Sequence, residues 1–279
     1  MNTAPIQIPG QLVAIPVPGT KVTLDGFLTG GRARKRRLLL FVHGMGSNFY
    51  RSPLKKAFML AAAKTPFDVL SFNNRGSDEN TADERFKDCL ADIEAAIRFG
   101  RALGYRSFVL AGHSTGCQKI TYHHALRARA DIEALVLLGL GDDYAIVKRD
   151  LGRRLTAWVT RARRLVRSGR GDTRLPACCL GFSARRFLSI ADRKELEARL
   201  FDLDGPMTHY GRIRTPMLAV FAGADEFATK PVTDMARVLR EHSHSTRFES
   251  IIIPRVDHGF RGRQAHVART VFNWLEQRK

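Results

Sequence analysis

The stretch Phe108-Val109-Leu110-Ala111-Gly112-His113-Ser114-Thr115-Gly116-Cys117-Gln118 decides the fold. An apolar run, Phe108 to Ala111, passes at once into Gly-His-Ser-Thr-Gly, and a helical pattern then continues to about Arg129. Strand, tight corner and helix in that order are the context in which G-x-S-x-G places a serine hydroxyl at the end of a sheet. Gly112 and Gly116 take side chains away where strand and helix approach, and Ser114 between them is expected in a strained backbone conformation. A serine that only caps a helix is the competing reading. The position of the pattern at a strand-to-helix junction weighs against it.

Outward from this corner, similar short apolar runs recur. Leu38 to Val42, Phe67 to Phe72, Leu135 to Leu140, Met217 to Ala222 and Phe248 to Ile253 read as strands. Most are nearly continuous rather than alternating, which suits a sheet covered on both faces. Helical patterns lie between them, at about 53–64, 82–103, 115–129, 231–241 and 263–276. Strand followed by helix, repeated, predicts a mostly parallel central sheet flanked by helices, with right-handed crossovers. Leu12 to Val17 and Val22 to Leu28 read as an antiparallel hairpin at one sheet edge.

The rhythm breaks between Gly141 and Arg214, where no strand is evident. Leu151, Leu155, Trp158, Ala162 and Leu165 recur at intervals of three and four, with Arg153, Arg154, Arg161, Arg163, Arg164 and Arg167 among them. That spacing predicts an amphipathic helix with a basic face, and a second helix is expected over 192–201. An insertion of this length within an α/β domain is commonly a lid over a site. The chain is therefore divided into a first core part (1–140), a helical basic lid (141–214) and a second core part (215–279).

Composition agrees with one large folded unit. The 279 residues are 44% hydrophobic and 26% charged, close to globular norms, which excludes wholesale disorder. Lys and Arg outnumber Asp and Glu by 46 to 27, giving a net charge of +19 and a surface that invites anionic partners. The run from Arg32 to Arg37 lacks interleaved aromatics and reads as a solvated turn, so no nucleic-acid partner is expected. The four cysteines form no C-x-x-C pair, so no zinc site is expected. The start lacks a signal-peptide pattern and no apolar stretch of ~18 residues is present, so a cytoplasmic protein without a membrane span is expected.

Serine is a poor nucleophile near neutral pH and needs a base, usually histidine, held by an acid. Asp225 follows the Met217–Ala222 run, and His258 follows the Phe248–Ile253 run. The order Ser114, Asp225, His258 is that of the hydrolases that use a G-x-S-x-G corner. Each lies just after a strand's carboxyl end, the edge where open α/β sheets bind ligands. Glu226, Asp142 and Asp143 are rival acids, whereas Asp257 adjoins His258 too closely in sequence. His266 falls within the final helix. An oxyanion needs backbone donors, for which the N–H groups of Thr115 and of Met45 in His43-Gly44-Met45-Gly46 are the candidates. Gly44, His113, Trp158 and Arg75 are candidates for substrate contact. His43 and His113 also read as structural hydrogen-bonders, and Arg75 as a loop anchor.

HGMG, GHSTG, the Asp225 loop and the DHG at 257–259 together resemble the α/β-hydrolase superfamily across essentially the whole chain. The segments HGMGSNFYRSP, FNNRGSDEN and GHSTGCQ further resemble a branch that includes fungal siderophore esterases. The resemblance implies an α/β-hydrolase fold and ester-bond cleavage, with hydroxamate iron carriers as the substrates of that branch. The residues themselves point to a serine esterase acting on a small-molecule ester through an acyl-enzyme, without metal or organic cofactor. A thioesterase or acyltransferase, or a weakly catalytic ligand-binding protein, would use the same residues. The arginines of the lid would favour an anionic substrate, and the basic helix around Trp158 would favour peripheral contact with anionic lipid.

Overall fold

Near-continuous apolar strands require cover on both faces, and the computed structural model provides it; it describes residues 7–30 and 36–277. The strands are β1 (Gly10–Pro16), β2 (Thr23–Thr29), β3 (Arg37–Val42), β4 (Phe67–Phe72), β5 (Ser107–His113), β6 (Ile132–Leu138), β7 (Met217–Ala222) and β8 (Phe248–Ile253). They form one eight-stranded sheet in the order β1-β2-β4-β3-β5-β6-β7-β8. The β1–β2 hairpin lies at one edge and joins β4 in antiparallel fashion, while β3 to β8 run parallel.

The helices are α1 (Pro53–Ala62), α2 (Cys89–Ala102), α3 (Thr115–Leu126), α4 (Asp143–Leu151), α5 (Leu155–Arg167), α6 (Ala184–Ala191), α7 (Val232–His242) and α8 (Gln264–Glu276). Alternate strand residues serve opposite faces, as the period of a β-strand demands. Leu38, Leu40, Leu110 and Leu137 pack with Ile93 and Ile97 of α2, Ile120 of α3 and Leu239 of α7. Leu39, Phe41, Val109 and Val136 pack with Phe58 of α1 and with Val271 and Phe272 of α8.

Residues 139–216 cross from β6 to β7 and carry a third cluster, in which Leu155, Val159 and Leu165 of α5 meet Phe187 and Ile190 of α6. Two expectations for this segment are corrected. The basic helix is not continuous from Leu151, because Gly152 at φ +51 and a short 3-10 turn separate α4 from α5. The second helix lies at 184–191 rather than 192–201. Ser183 caps it by accepting from the Arg186 N–H at 3.3 Å, and Phe187, Leu188 and Ile190 give it a face to bury. The stretch after Asp192 also buries Ala198, Leu200 and Phe201 but holds only a 3-10 turn at Glu197–Arg199.

Residues 82–88 likewise begin with 3-10 turns, so α2 starts at Cys89. Of the basic run, residues 32–35 lie outside the described residues, as do residues 1–6 of the N-terminal stretch. Arg37 is engaged, with its guanidinium 3.9 Å from the Phe67 ring centroid and 2.7 Å from Glu133.

Candidate active site

The corner after β5 has the strain its sequence predicts. Ser114 sits at φ 55, ψ −130, a region L-residues avoid at a cost of order 1–3 kcal/mol. A Cβ on Gly112 would lie 2.6 Å from the Cys117 nitrogen, and one on Gly116 would collide with the Val42 carbonyl oxygen. The corner is pinned by Ser114 N–H donating to Leu138 O at 3.0 Å and Cys117 N–H donating to Ser114 O at 2.8 Å. Thr115 is the first residue of α3, and the opening N–H groups of a helix have no partner within it.

The loop after β3 lies against this corner. A Cβ on Gly44 would be 2.7 Å from Ser114 Cβ and 3.3 Å from its Oγ. His43 holds the loop in place: its Nε2 accepts the Asn74 N–H at 2.9 Å while Nδ1 stands 2.7 Å from Gly44 O. That pattern requires the neutral ring with its proton on Nδ1. Burial, with Lys119 and Lys55 nearby, lowers the His43 pKa to about 3.

The other two residues come from the loops after β7 and β8. Asp225 Oδ2 is 2.9 Å and Oδ1 3.1 Å from His258 Nδ1. Asp225 Oδ1 also accepts the Phe227 N–H at 2.9 Å, and Ala224 N–H donates to Val256 O at 2.9 Å, so the two loops are laced together. Among the described residues no hydrogen bond joins His258 to the Ser114 hydroxyl, but both open onto one cavity. Such contacts are often long before substrate binds. The rival acids are occupied elsewhere. Glu226 accepts the His258 backbone N–H at 2.9 Å, Asp142 caps α4 through the Ala145 N–H at 2.9 Å, and Asp143 accepts from Gln118 at 2.9 Å.

His113 lines the cavity, but its Nε2 lies 3.0 Å from the carbonyl oxygen of His258, joining the corner to the histidine loop. Burial, then the charge of His258 4.9 Å away between ring centroids, lowers the His113 pKa to about 3. A neutral ring is therefore the donor.

The cavity measures about 660 Å³ and is walled by Gly44, Met45, Ser114, Thr115 and His258 on the sheet side. From 141–214 come Ile146, Val147, Leu151, Phe187 and Ile190, with Cys178, Cys179 and Leu180 also in the wall. Phe227, edge-on to His258 at 4.8 Å, belongs to it as well. Of the apolar residues here, only Leu151 lay in the periodicity read from the sequence, which otherwise falls on α5, and nothing marked Phe227.

Two of the candidates for substrate contact, Arg75 and Trp158, do not line the cavity. Arg75 has its Nε 2.8 Å from Asp92 Oδ1 and its Nη2 donates to Asp88 O at 3.0 Å, which anchors the loop. Trp158 packs against the core of the β6–β7 segment, with the Arg161 guanidinium 5.3 Å from its ring centroid. Of the arginines expected to draw an anionic substrate, Arg154 alone reaches the cavity wall, alongside Asp143 and Asp150. Arg163 is spent on Asp192.

The family model described as "Alpha/beta hydrolase family" matches residues 39–269. Among solved structures, the siderophore hydrolase EstB from Aspergillus fumigatus superposes with a TM-score of 0.69 at 19% identity, covering 97% of each chain. Est1E from Butyrivibrio proteoclasticus, solved with ferulic acid bound, gives 0.71 at 16% identity, covering 95% of this chain and 98% of that one. A thermostable carboxyl esterase from Bacillus coagulans gives 0.69 at 11% identity over 97% and 99% of the two chains. At these identities the likeness is one of fold. No curated protein sequence matches the chain.

Proposed function

The chain belongs to the alpha/beta hydrolase family, and from that premise we propose that it is a serine carboxylic-ester hydrolase acting on a small-molecule ester. The observation that carries the reading is the His258–Asp225 contact of 2.9 Å at the rim of the cavity into which Ser114 opens. Neutral His258 takes the Ser114 proton as Oγ attacks the ester carbonyl. Asp225 holds the other ring nitrogen protonated and stabilises the imidazolium that forms. The N–H groups of Met45 and Thr115 receive the developing oxyanion, each worth roughly 3–4 kcal/mol in comparable sites. Collapse expels the alcohol with the proton from His258 and leaves an acyl-Ser114 ester. Water, activated by the same imidazole, then releases the acid.

Residues 141–214 act as the lid of this site, a role supported by the number of cavity-lining side chains they supply. The mainly apolar wall favours an uncharged acyl or alcohol group. The siderophore hydrolase and the ferulic-acid complex among the structural neighbours fit a bulky ester better than a short one. The four thiols, none bridged, suit a reducing compartment such as the cytoplasm. None of the helices is long and apolar enough to cross a membrane, among the described residues. The exposed arginines of α5 support peripheral contact with anionic lipid.

Turnover of 4-nitrophenyl esters by the wild type and by Ser114→Ala tests the reading. Loss of about 10⁴-fold or more with the fold intact is expected, and unchanged turnover in the variant would remove it.

A further inference from the structure

The cavity contains a carboxyl group that none of these steps uses. Asp143 opens α4 in the cavity wall. Its Oδ2 accepts from Gln118 Nε2 at 2.9 Å, and the same nitrogen donates to Gly141 O at 3.0 Å. Oδ1 has no protein partner among the described residues and is not among the sealed, unpartnered atoms, so it is left to the cavity.

Behind Asp143 lies a buried ionic cluster that is already neutral. Lys119 Nζ is 2.5 Å from Glu84 Oε1, and Arg186 forks onto Glu197 while standing 3.4 Å from Glu84 Oε2. Ser189 Oγ donates to Glu197 at 2.6 Å. Two cations thus meet two carboxylates, and no third cation lies within ion-pair distance of Asp143 among the described residues. A charged Asp143 would be an uncompensated anion beside Glu197 and Asp142.

Burial pushes the Asp143 carboxyl well above the usual carboxylate range. The Glu197 and Asp142 charges push the same way, against Arg186 and the Gln118 hydrogen bond. The dipole of α4 opposes this, since its first turn favours an anion, but that effect is the smaller one. The remaining charged or titratable groups of the wall are Asp150, Arg154, the two cysteines and the histidines at 113 and 258.

We propose that Asp143, backed by Gln118, is a hydrogen-bond-donating subsite that selects esters carrying an acceptor oxygen on the group that fills this part of the cavity. The donor is the Oδ1–H of a carboxylic acid, and the ligand class is an ether, carbonyl or amide oxygen. The assignment rests on the ester-hydrolase reading.

The test compares 4-nitrophenyl hexanoate with its three oxa analogues, in which oxygen replaces C3, C4 or C5 of the acyl chain. Hexyl acetate and its oxa analogues repeat the comparison on the alcohol side. At least one oxygen position should raise kcat/KM about tenfold over the all-carbon parent, as one well-placed hydrogen bond does. The preference should fade as pH rises and Asp143 loses its proton. Asp143→Ala should bring the ratio to about one. Asp143→Asn, whose amide still donates, should keep the preference and lose its pH dependence. If Asp143→Ala fails to fold, the wild-type and Asp143→Asn pH profiles decide alone. Equal efficiency on every ester, or a preference that survives Asp143→Ala, overturns the subsite and leaves the hydrolase reading standing. Hydrolysis of none overturns both.

Discussion

Asp225 and His258 face each other across 2.9 Å although 33 residues separate them, because β7 and β8 are neighbours in register and each delivers its loop to the same edge. Glu226, one residue on, reaches only the backbone N–H of His258. The two acids therefore differ in what they can do. Asp225 fixes the tautomer of the ring, while Glu226 fixes the loop. Asp225→Asn should lower kcat by about 10³–10⁴-fold, whereas Glu226→Gln should cost no more than about tenfold, the worth of one hydrogen bond. Steady-state kinetics on one ester check both, and the reverse ranking would reassign the acid.

The approach of Gly44 to Ser114 gives a second prediction. An alanine at 44 would place its Cβ 2.7 Å from Ser114 Cβ and 2.8 Å from His113 O, so either the HGMG loop or the serine must move. Displacing one oxyanion donor costs about 10²–10³ in kcat. Gly44→Ala should lose at least that factor while retaining a cooperative melt near the wild-type temperature. Wild-type activity in Gly44→Ala would contradict the proposed role of this loop in receiving the oxyanion.

Buried histidines set the acid limit of stability. His43 and His113 titrate at about 3 and His124 at about 4 in the folded chain, in each case chiefly through burial, against about 6.5 unfolded. Below pH ~6.5 the unfolded state binds more protons, so folding free energy must fall with falling pH from there towards the folded values. Urea midpoints should decline steadily from pH 6.5 to 4.5. A midpoint flat across that window would contradict neutral buried rings at these positions.

Arg186 is fully buried between Glu197 and Glu84. Removing one partner of a buried ion pair leaves an uncompensated charge and typically costs about 3–5 kcal/mol. Arg186→Met should destabilise by that order in urea melts, and adding Glu197→Gln should recover part of the loss. A loss in Arg186→Met below about 1 kcal/mol would mean that the cluster is solvated.

How far the sequence carried the structure depends on whether a residue's role was local. Strands β3 to β7 were legible because burial on both faces leaves largely apolar runs, and the half-buried edge strand β8 by its closing Ile251–Ile253; Ser114, Asp225 and His258 each follow one of these strands. The hairpin was readable from Gly and Pro punctuation. The helix at 184–191 was missed because the stretch that follows it has similar apolar spacing and stronger helix formers, yet folds only as a 3-10 turn. Lys119, Glu84, Arg186 and Glu197 gave no sign of converging, since ionic pairing between elements has no sequence period. Arg75 is held by Asp92, in keeping with its reading as a loop anchor, whereas Trp158, of a residue type that often contacts substrates, packs on the core of the β6–β7 segment.

The basic face of α5 carries a separate expectation. Arg154, Arg161, Arg164 and Arg167 have no ion-pair partner among the described residues, unlike Arg163. If they seat on anionic lipid, binding to phosphatidylserine vesicles should be seen at low salt and weaken as salt shortens the Debye length from about 30 Å at 0.01 M to about 8 Å at 0.15 M. Trp158 is partly buried and covered by Arg161, so its fluorescence should shift little on binding. Absence of binding at low salt would leave these arginines as a solvated face.

The proposed nucleophile, Ser114, offers the most direct measurement. A fluorophosphonate reacts covalently with an activated serine and leaves ordinary hydroxyls untouched. Peptide mass spectrometry after labelling should find the adduct on Ser114 in the wild type and none on that peptide in His258→Ala. An unlabelled Ser114 in folded wild-type protein, or labelling that persists without the imidazole, would contradict the account.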